Sequence, residues 1–339
     1  MRLTTTLMAT QVVIRRRIRQ QVSRHRRFDA VMRAWASGLL CCSLVGFLGQ
    51  TASAQTPSRA GGAPGSLLNG LPGVKFEWAP VPGVTERGAL LVPVEIAGAN
   101  LKYQFDTGAD ATVLYGTDLA SRLGWSQGRR SVKLPGIRVG ETLLPATWAQ
   151  VQGDRVPEAG QSAGTLGLDV LIGKVVIIDF PGKRLFVIPR ADVPGALWNR
   201  IVWTDAEIRN GKFFVHLRVN GRQINDLFFD TGASMFPAIF DVARWESTTG
   251  RSEAGATQRV RVNSWGRKVN MLGAPITSAV EVDSLRYEKP LVFFQKEKDA
   301  PSNFMNWPFP VGGSIGNALF FDEVIAMDLG VFPQFWIVR

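Results

Sequence analysis

The sequence predicts an all-β chain made of two copies of one unit. Three observations predict it. From Phe76 onward, short alternating apolar runs are separated by Gly and Pro, as in strands joined by turns. The quartet Asp-Thr-Gly-Ala occurs twice, at Asp106–Ala109 and at Asp230–Ala233, each after an apolar, strand-like approach. The segments around the two quartets recur in the same order, which marks a duplication.

The basic balance of the chain belongs to its N-terminus. The 339 residues carry a formal net charge of +11. Residues 1–54 hold nine Arg and one Asp, so the remainder has 30 basic against 27 acidic residues, or +3. A nucleic-acid partner is therefore not implied. Eight of those Arg, from Arg15 to Arg33, precede an apolar run from Ala34 to Leu48, and Ala52-Ser53-Ala54 then supplies a small-residue cleavage signal before Gln55. Residues 1–54 read as a signal peptide with an extended basic region, and Met32 would give a tidier start. Arg26-Arg27-Phe28 loosely matches a twin-arginine signal. The apolar run is shorter than the roughly 20 residues a bilayer span needs, so no stable span is expected after leader removal; a retained membrane anchor is the alternative. The expected location is periplasmic or secreted.

Both cysteines, Cys41 and Cys42, lie in this leader. The mature chain would have no disulfide and no thiol nucleophile. Its only histidine is His216, which excludes a zinc site of His and Cys ligands and any Ser-His triad without His216. No metal and no cofactor are called for. His216 alternates with apolar residues in Phe213–Val219 and reads as an outward-facing strand residue.

Residues 55–84 read as a Gly/Pro-rich linker or pro-segment, on the strength of Ala60-Gly61-Gly62-Ala63-Pro64-Gly65. A first lobe is assigned to residues 85–195 and a second to 196–339. Leu90–Ile96 is a strand, Gly98-Ala99-Asn100 a turn, and Thr117–Leu123 the clear helical stretch of the first half. Strands and helices do not alternate and no phosphate-binding glycine loop appears, which argues against a nucleotide enzyme. Arg129-Arg130, Arg259 with Arg261, and Arg267-Lys268 read as solvated strand edges rather than an acidic partner's surface.

The duplication extends well beyond the quartets. Gly88-Ala89-Leu90-Leu91-Val92 stands before Asp106 as Gly211-Lys212-Phe213-Phe214-Val215 stands before Asp230. Downstream, Gly164-Thr165-Leu166-Gly167 matches Gly313-Ser314-Ile315-Gly316, and Val175–Phe180 matches Val324–Leu329. The two aspartates are 124 residues apart and the later glycines 149, so the second copy carries 25 extra residues between them. Much of that surplus is expected in Gln295–Pro310, read as a surface loop, or alternatively as an aromatic lid or subsite wall.

These motifs resemble the aspartic proteases, in particular a retropepsin-like lobe duplicated in one chain to give a pepsin-like bilobal arrangement. The likeness covers roughly residues 85–339 and rests on the pair of Asp-Thr-Gly-Ala motifs together with Leu166-Gly167 and Ile315-Gly316. It implies two small β-barrel lobes around a central cleft, with Asp106 and Asp230 as the catalytic pair. Thr107 and Thr231 would hydrogen-bond across the pseudo-twofold axis. Gly108 and Gly232 would let the backbone donate to the carboxylates, and Ala109 and Ala233 would stand where pepsin commonly has Ser or Thr. Leu166, Gly167, Ile315 and Gly316 would support the two loops. A candidate flap is Leu134-Pro135-Gly136-Ile137, within Ser131–Val139, although neither a flap tyrosine nor a strongly Gly-rich flap is obvious.

The expected function is hydrolysis of peptide bonds by an aspartic endopeptidase, acting as a monomer on peptide or protein. The alternative, from a different class, is a non-catalytic periplasmic peptide-binding protein that keeps the same groove. A third arrangement, in which each lobe pairs with another chain, is disfavoured because one chain already supplies both aspartates. Without a hydroxyl at Ala109 and Ala233 the ionised carboxylates are less favoured, so the expected optimum is less acidic than pepsin's, at about pH 4 to 6.

Overall fold

A computed structural model describes residues 67–152, 161–198, 201–282, 285–298, 304 and 307–338. The leader, its cysteines and its cleavage signal lie outside these residues. Apart from Trp265–Arg267, the described residues belong to one compact unit. The fold is all-β.

The first half contains β1 (Val74–Lys75), β2 (Glu77–Val81), β3 (Thr85–Ile96), β4 (Ala99–Phe105) and β5 (Val113–Tyr115). After a short helix α1 (Asp118–Arg122) come β6 (Ser131–Leu134), β7 (Ile137–Val139), β8 (Thr142–Leu144), β9 (Thr147–Gln152), β10 (Gly164–Leu166), β11 (Lys174–Asp179) and β12 (Arg184–Pro189). The second half opens with α2 (Gly195–Trp198) and β13 (Ile201–Arg209). It continues through β14 (Lys212–Val215), β15 (Leu217–Val219), β16 (Arg222–Ile224), β17 (Leu227–Phe229) and β18 (Ala238–Phe240). Helix α3 (Val242–Thr249) precedes β19 (Gln258–Ser264), β20 (Arg267–Pro275), β21 (Val280–Val282), β22 (Leu285–Tyr287), β23 (Leu291–Gln295), β24 (Gly313–Ile315), β25 (Val324–Asp328) and β26 (Gln334–Val338).

The halves repeat one pairing scheme. In the first, β10 runs parallel to β4 and antiparallel to β5, and β5 runs parallel to β9. In the second, β24 runs parallel to β17 and antiparallel to β18, and β18 runs parallel to β23. The registers match as well: Leu166 lies opposite Phe105, and Ile315 opposite Phe229. Both aspartates therefore leave the end of the strand that pairs with the Gly-containing strand.

The order β1-β12-β11-β25-β26-β13 joins the halves through a shared stretch of sheet. β11 meets β25 in an unbroken antiparallel register from Val175 opposite Asp328 to Asp179 opposite Val324. This stretch is apolar on both faces because both are covered. Val175, Ile177, Phe186, Ala326 and Trp336 face one cluster; Val176, Ile178, Leu185, Ile325, Met327 and Ile337 face the main core. Each such side chain, fully buried, contributes about 1.5 to 3 kcal/mol.

Three sequence expectations change. First, the fold begins inside the stretch read as linker: β1 pairs with β12, β2 pairs with β3, and Phe76 is in the core. Second, Ser131–Val139 is not a hairpin. β6 pairs with β9, whereas β7 pairs with β8 and β3. Gly136, at φ +154°, lets the chain leave one pairing for the other, and Leu134 and Ile137 are wholly buried. Side chains locked in the core cannot serve as a mobile flap there.

Third, the 25-residue surplus is placed by register. Val113 corresponds to Ile239, an offset of 126; Ser131 corresponds to Gly273, an offset of 142; Gln150 corresponds to Phe293, an offset of 143. Most of the surplus thus falls between β18 and β20, where the second half has a longer helix and the added edge strand β19. Only six residues fall between β23 and β24. The apolar alternation of the added region could not show this, because a strand hairpin and a long loop leave the same total length. Arg259 and Arg261 lie exposed on β19, at the end of its sheet, as read from the sequence. Helix α3 is capped by Asp241, whose carboxylate accepts from Arg244 N, and ended by left-handed Gly250. Among the described residues no helix is long and apolar enough to cross a membrane.

Candidate active site

The two Asp-Thr-Gly-Ala turns meet and interlock. Thr107 N donates to Thr231 Oγ1 at 2.9 Å, and Thr231 N donates to Thr107 Oγ1 at 3.1 Å. Each hydroxyl then donates onward into the opposite strand end, Thr107 Oγ1 to the Phe229 carbonyl at 2.7 Å and Thr231 Oγ1 to the Phe105 carbonyl at 2.9 Å. Both threonines are wholly buried. The four bonds pair the N–H and the hydroxyl of both threonines and tie the halves together at the turns.

Each turn also holds its own carboxylate. Gly108 N and Ala109 N donate to Asp106 Oδ1 at 2.9 and 3.1 Å. Gly232 N and Ala233 N donate to Asp230 Oδ1 at the same distances. One oxygen of each aspartate is thereby fixed by backbone N–H groups. The glycines are sterically required. A Cβ on Gly108 would lie 2.3 Å from Asp230 Oδ1, and one on Gly232 would lie 2.5 Å from Asp106 Oδ2. The same two contacts show that each carboxylate packs over the other turn's glycine.

The Gly-containing strands support the turns from below. Asp106 N donates to the Leu166 carbonyl at 3.1 Å, and Asp230 N to the Ile315 carbonyl at 2.9 Å. Gly167 and Gly316 allow the turn backbone to come close: added Cβ atoms would sit 2.6 Å from the Ala111 backbone and 2.2 Å from the Phe236 carbonyl.

Burial dominates the electrostatics. It pushes both aspartates above the ordinary carboxylate range, Asp230 to about 8, with the Asp106 charge adding to the rise. The Lys212 ammonium and the turn N–H groups pull in the other direction on both. Two carboxyls in one buried site cannot both ionise at low cost.

Several contributors were not singled out in the sequence. Lys212 enters from β14, is buried, and donates to the Gly108 carbonyl. It stands directly before Phe213 and Phe214, where the first half has Ala89, and that contrast was the available signal. Gln104 Nε2 donates to Asp106 Oδ2 at a long 3.4 Å, whereas the corresponding second-half residue is Phe228. Under the second turn, Asn317 Nδ2 donates to the Thr231 carbonyl at 3.0 Å and to Ser234 Oγ at 2.7 Å. Beside the first, Asp169 accepts from Thr112 Oγ1 at 2.8 Å and Thr147 Oγ1 at 2.9 Å.

His216 falls between β14 and β15 and is half-buried rather than outward-facing, with Nδ1 enclosed. The described aromatics of Gln295–Pro310 do not stand free. Phe304 and Trp307 pack on Phe228, with centroids 5.7 and 5.3 Å away. Among the described residues no group of three His, Cys, Asp or Glu side chains is arranged to hold a metal.

No protein-family model matches the chain, and no curated protein matches it. Among solved structures, it is similar to conglutin gamma, a basic 7S globulin from lupine seeds, at 9% identity and a TM-score of 0.43, covering 79% of this chain and 94% of that one.

Proposed function

We propose that this chain is an aspartic endopeptidase with Asp106 and Asp230 as its catalytic pair. The observation that carries the reading is the reciprocal threonine lock, which holds two backbone-anchored carboxylates face to face. The ionised member takes a proton from a water held between the two. The resulting hydroxide adds to the scissile carbonyl carbon, while the protonated member donates to the carbonyl oxygen. Collapse of the tetrahedral intermediate breaks the C–N bond: the carboxyl that took the proton from water gives it to the leaving amine, and the other carboxylate takes a proton back from one hydroxyl of the diol, which restores the singly protonated pair. Burial suits this work, since it keeps one carboxyl protonated where an exposed Asp would have lost its proton.

The hairpin of β19 and β20 packs against the Asp230 turn. Val260, Val262, Val269 and Met271 pack with Ala233, Met235 and Phe236, directly downstream of Asp230. One chain supplies both aspartates, so the enzyme acts as a monomer in the periplasm or outside the cell, and its rate is linear in protein concentration.

The deciding test is cleavage of a mixed peptide library across pH 3 to 8 by the wild type, Asp106→Asn and Asp230→Asn. Both substitutions should reduce cleavage by roughly a thousandfold or more. Binding of peptides with no cleavage at any pH would leave a peptide-binding protein instead. Cleavage surviving both substitutions would remove the pair from the chemistry.

A further inference from the structure

Lys212 is a buried cation without a conventional partner. Its side chain is only slightly exposed, at 7%. Among the described residues it forms no salt bridge. Its ammonium donates to the Gly108 carbonyl and lies over two ring faces, 5.1 Å from the Trp307 centroid and 5.9 Å from that of Phe228. Burying an ammonium is costly unless an anion is near. The carboxylates that feel it are Asp106 and Asp230.

Most of the other charged and titratable groups around β14 are engaged elsewhere or lie further along. Arg209, opposite Lys212 on β13, pairs with Glu207 at 2.9 Å. Asp226, before β17, is held by Arg244 at 2.7 Å. The Asp205 carbonyl accepts from His216 N at the far end of β14. Asp110, exposed, abuts Gly211 through its Cβ.

We propose that Lys212 is the built-in counter-charge of the aspartate pair, a positioning residue that keeps one of the two carboxylates ionised at the junction of the lobes. A pair holding one proton carries one negative charge, so pair and lysine together are neutral. The second lobe thus supplies a charge to the first lobe's turn, which gives the otherwise symmetric pair a direction. The inference rests on reading Asp106 and Asp230 as a working pair.

The test is a pH titration of the full chain carrying aspartate labelled with 13C at the carboxyl carbon, with the pair's signals identified by their loss in Asp106→Asn and Asp230→Asn. Lys212→Gln keeps a neutral donor, Lys212→Met removes donor and charge, and Lys212→Arg keeps the charge. In the Gln and Met variants the pair should hold its shared proton to a pH higher by about one unit or more. The Arg variant should stay close to the wild type. The acid and alkaline limbs of any cleavage profile should move the same way.

An unchanged titration in the neutral variants would overturn the proposal, as would a shift in Met but not in Gln, which would assign the effect to the hydrogen bond. Failure of both neutral variants to fold, with Arg folded, would place the charge in stability and also overturn it. The titration is read whether or not peptide is cut. A shift without cleavage in the wild type removes the protease reading and leaves the counter-charge; cleavage without a shift does the reverse.

Discussion

The two aspartate turns share a backbone and differ in what surrounds it. Both fix one carboxylate oxygen with two N–H groups, and both rest on the carbonyl of the Gly-containing strand. Around this common frame the first turn has Gln104, an Asp169 bridge to two threonines, and a lysine reaching in from the other lobe. The second has Phe228 and the Asn317–Ser234 pair. The two turns repeat the geometry that needs symmetry and differ in the charges that do not. Two like carboxyls need an equal frame to bring them together, and an unequal field biases which of them keeps the proton.

The largest expected effect tests the shared frame. Gly108→Ala and Gly232→Ala each drive a methyl into the opposite carboxylate, and each should cut cleavage by about a hundredfold or more. A large loss at one position only would mean the turns are less equivalent than their hydrogen bonds indicate. Next in size is the pH dependence of stability. Asp230 is raised in the folded chain, so its contribution is complete below the unfolded value near 3.8 and is lost as pH rises through about 8. The melting temperature should therefore decline from pH 4 to 8 through this group. Asp230→Asn should flatten that decline and stabilise the chain at pH 8 by on the order of 2 kcal/mol, read by calorimetry.

Smaller effects separate the two supports. Thr107→Ala and Thr231→Ala each leave a buried N–H unpaired and should each cost about 1 to 3 kcal/mol in denaturant unfolding, by similar amounts. Asn317→Ala removes the donor to the Ser234 hydroxyl and one of two donors to the Thr231 carbonyl, which keeps Ser234 Oγ, and should cost about 1 to 2 kcal/mol. Asp169→Asn, which keeps an acceptor for one threonine, should cost less, at about 1 kcal/mol. A reversed order would show the first turn to be the more dependent on its neighbours. For activity, an optimum near pH 2 would contradict the field described, since burial holds the pair protonated well above that pH.

The turns were legible in the sequence because their requirements are local. A carboxylate accepting from the next two N–H groups needs Asp followed by Gly, and a buried cross-axis hydroxyl needs Thr between them. The strands flanking them were legible from alternation, and the duplication from repeated order. The flap was misread because Leu134–Ile137 has a hairpin's composition, while its partners, β9 on one side and β3 and β8 on the other, lie far off in the sequence.

By itself, then, the sequence determined the all-β class, the two-copy plan and the pair Asp106 and Asp230. These follow from periodicity and from short motifs whose geometry closes within a few residues. Only the tertiary structure decided that β11 and β25 join the halves, that the second copy's extra residues form an edge strand, and that Lys212 serves the first turn. Each of those depends on contacts across more than a hundred residues, or on a register that composition leaves open. A lysine's charge acts on whatever the fold brings beside it, and here the fold brings the Gly108 carbonyl and the two carboxylates.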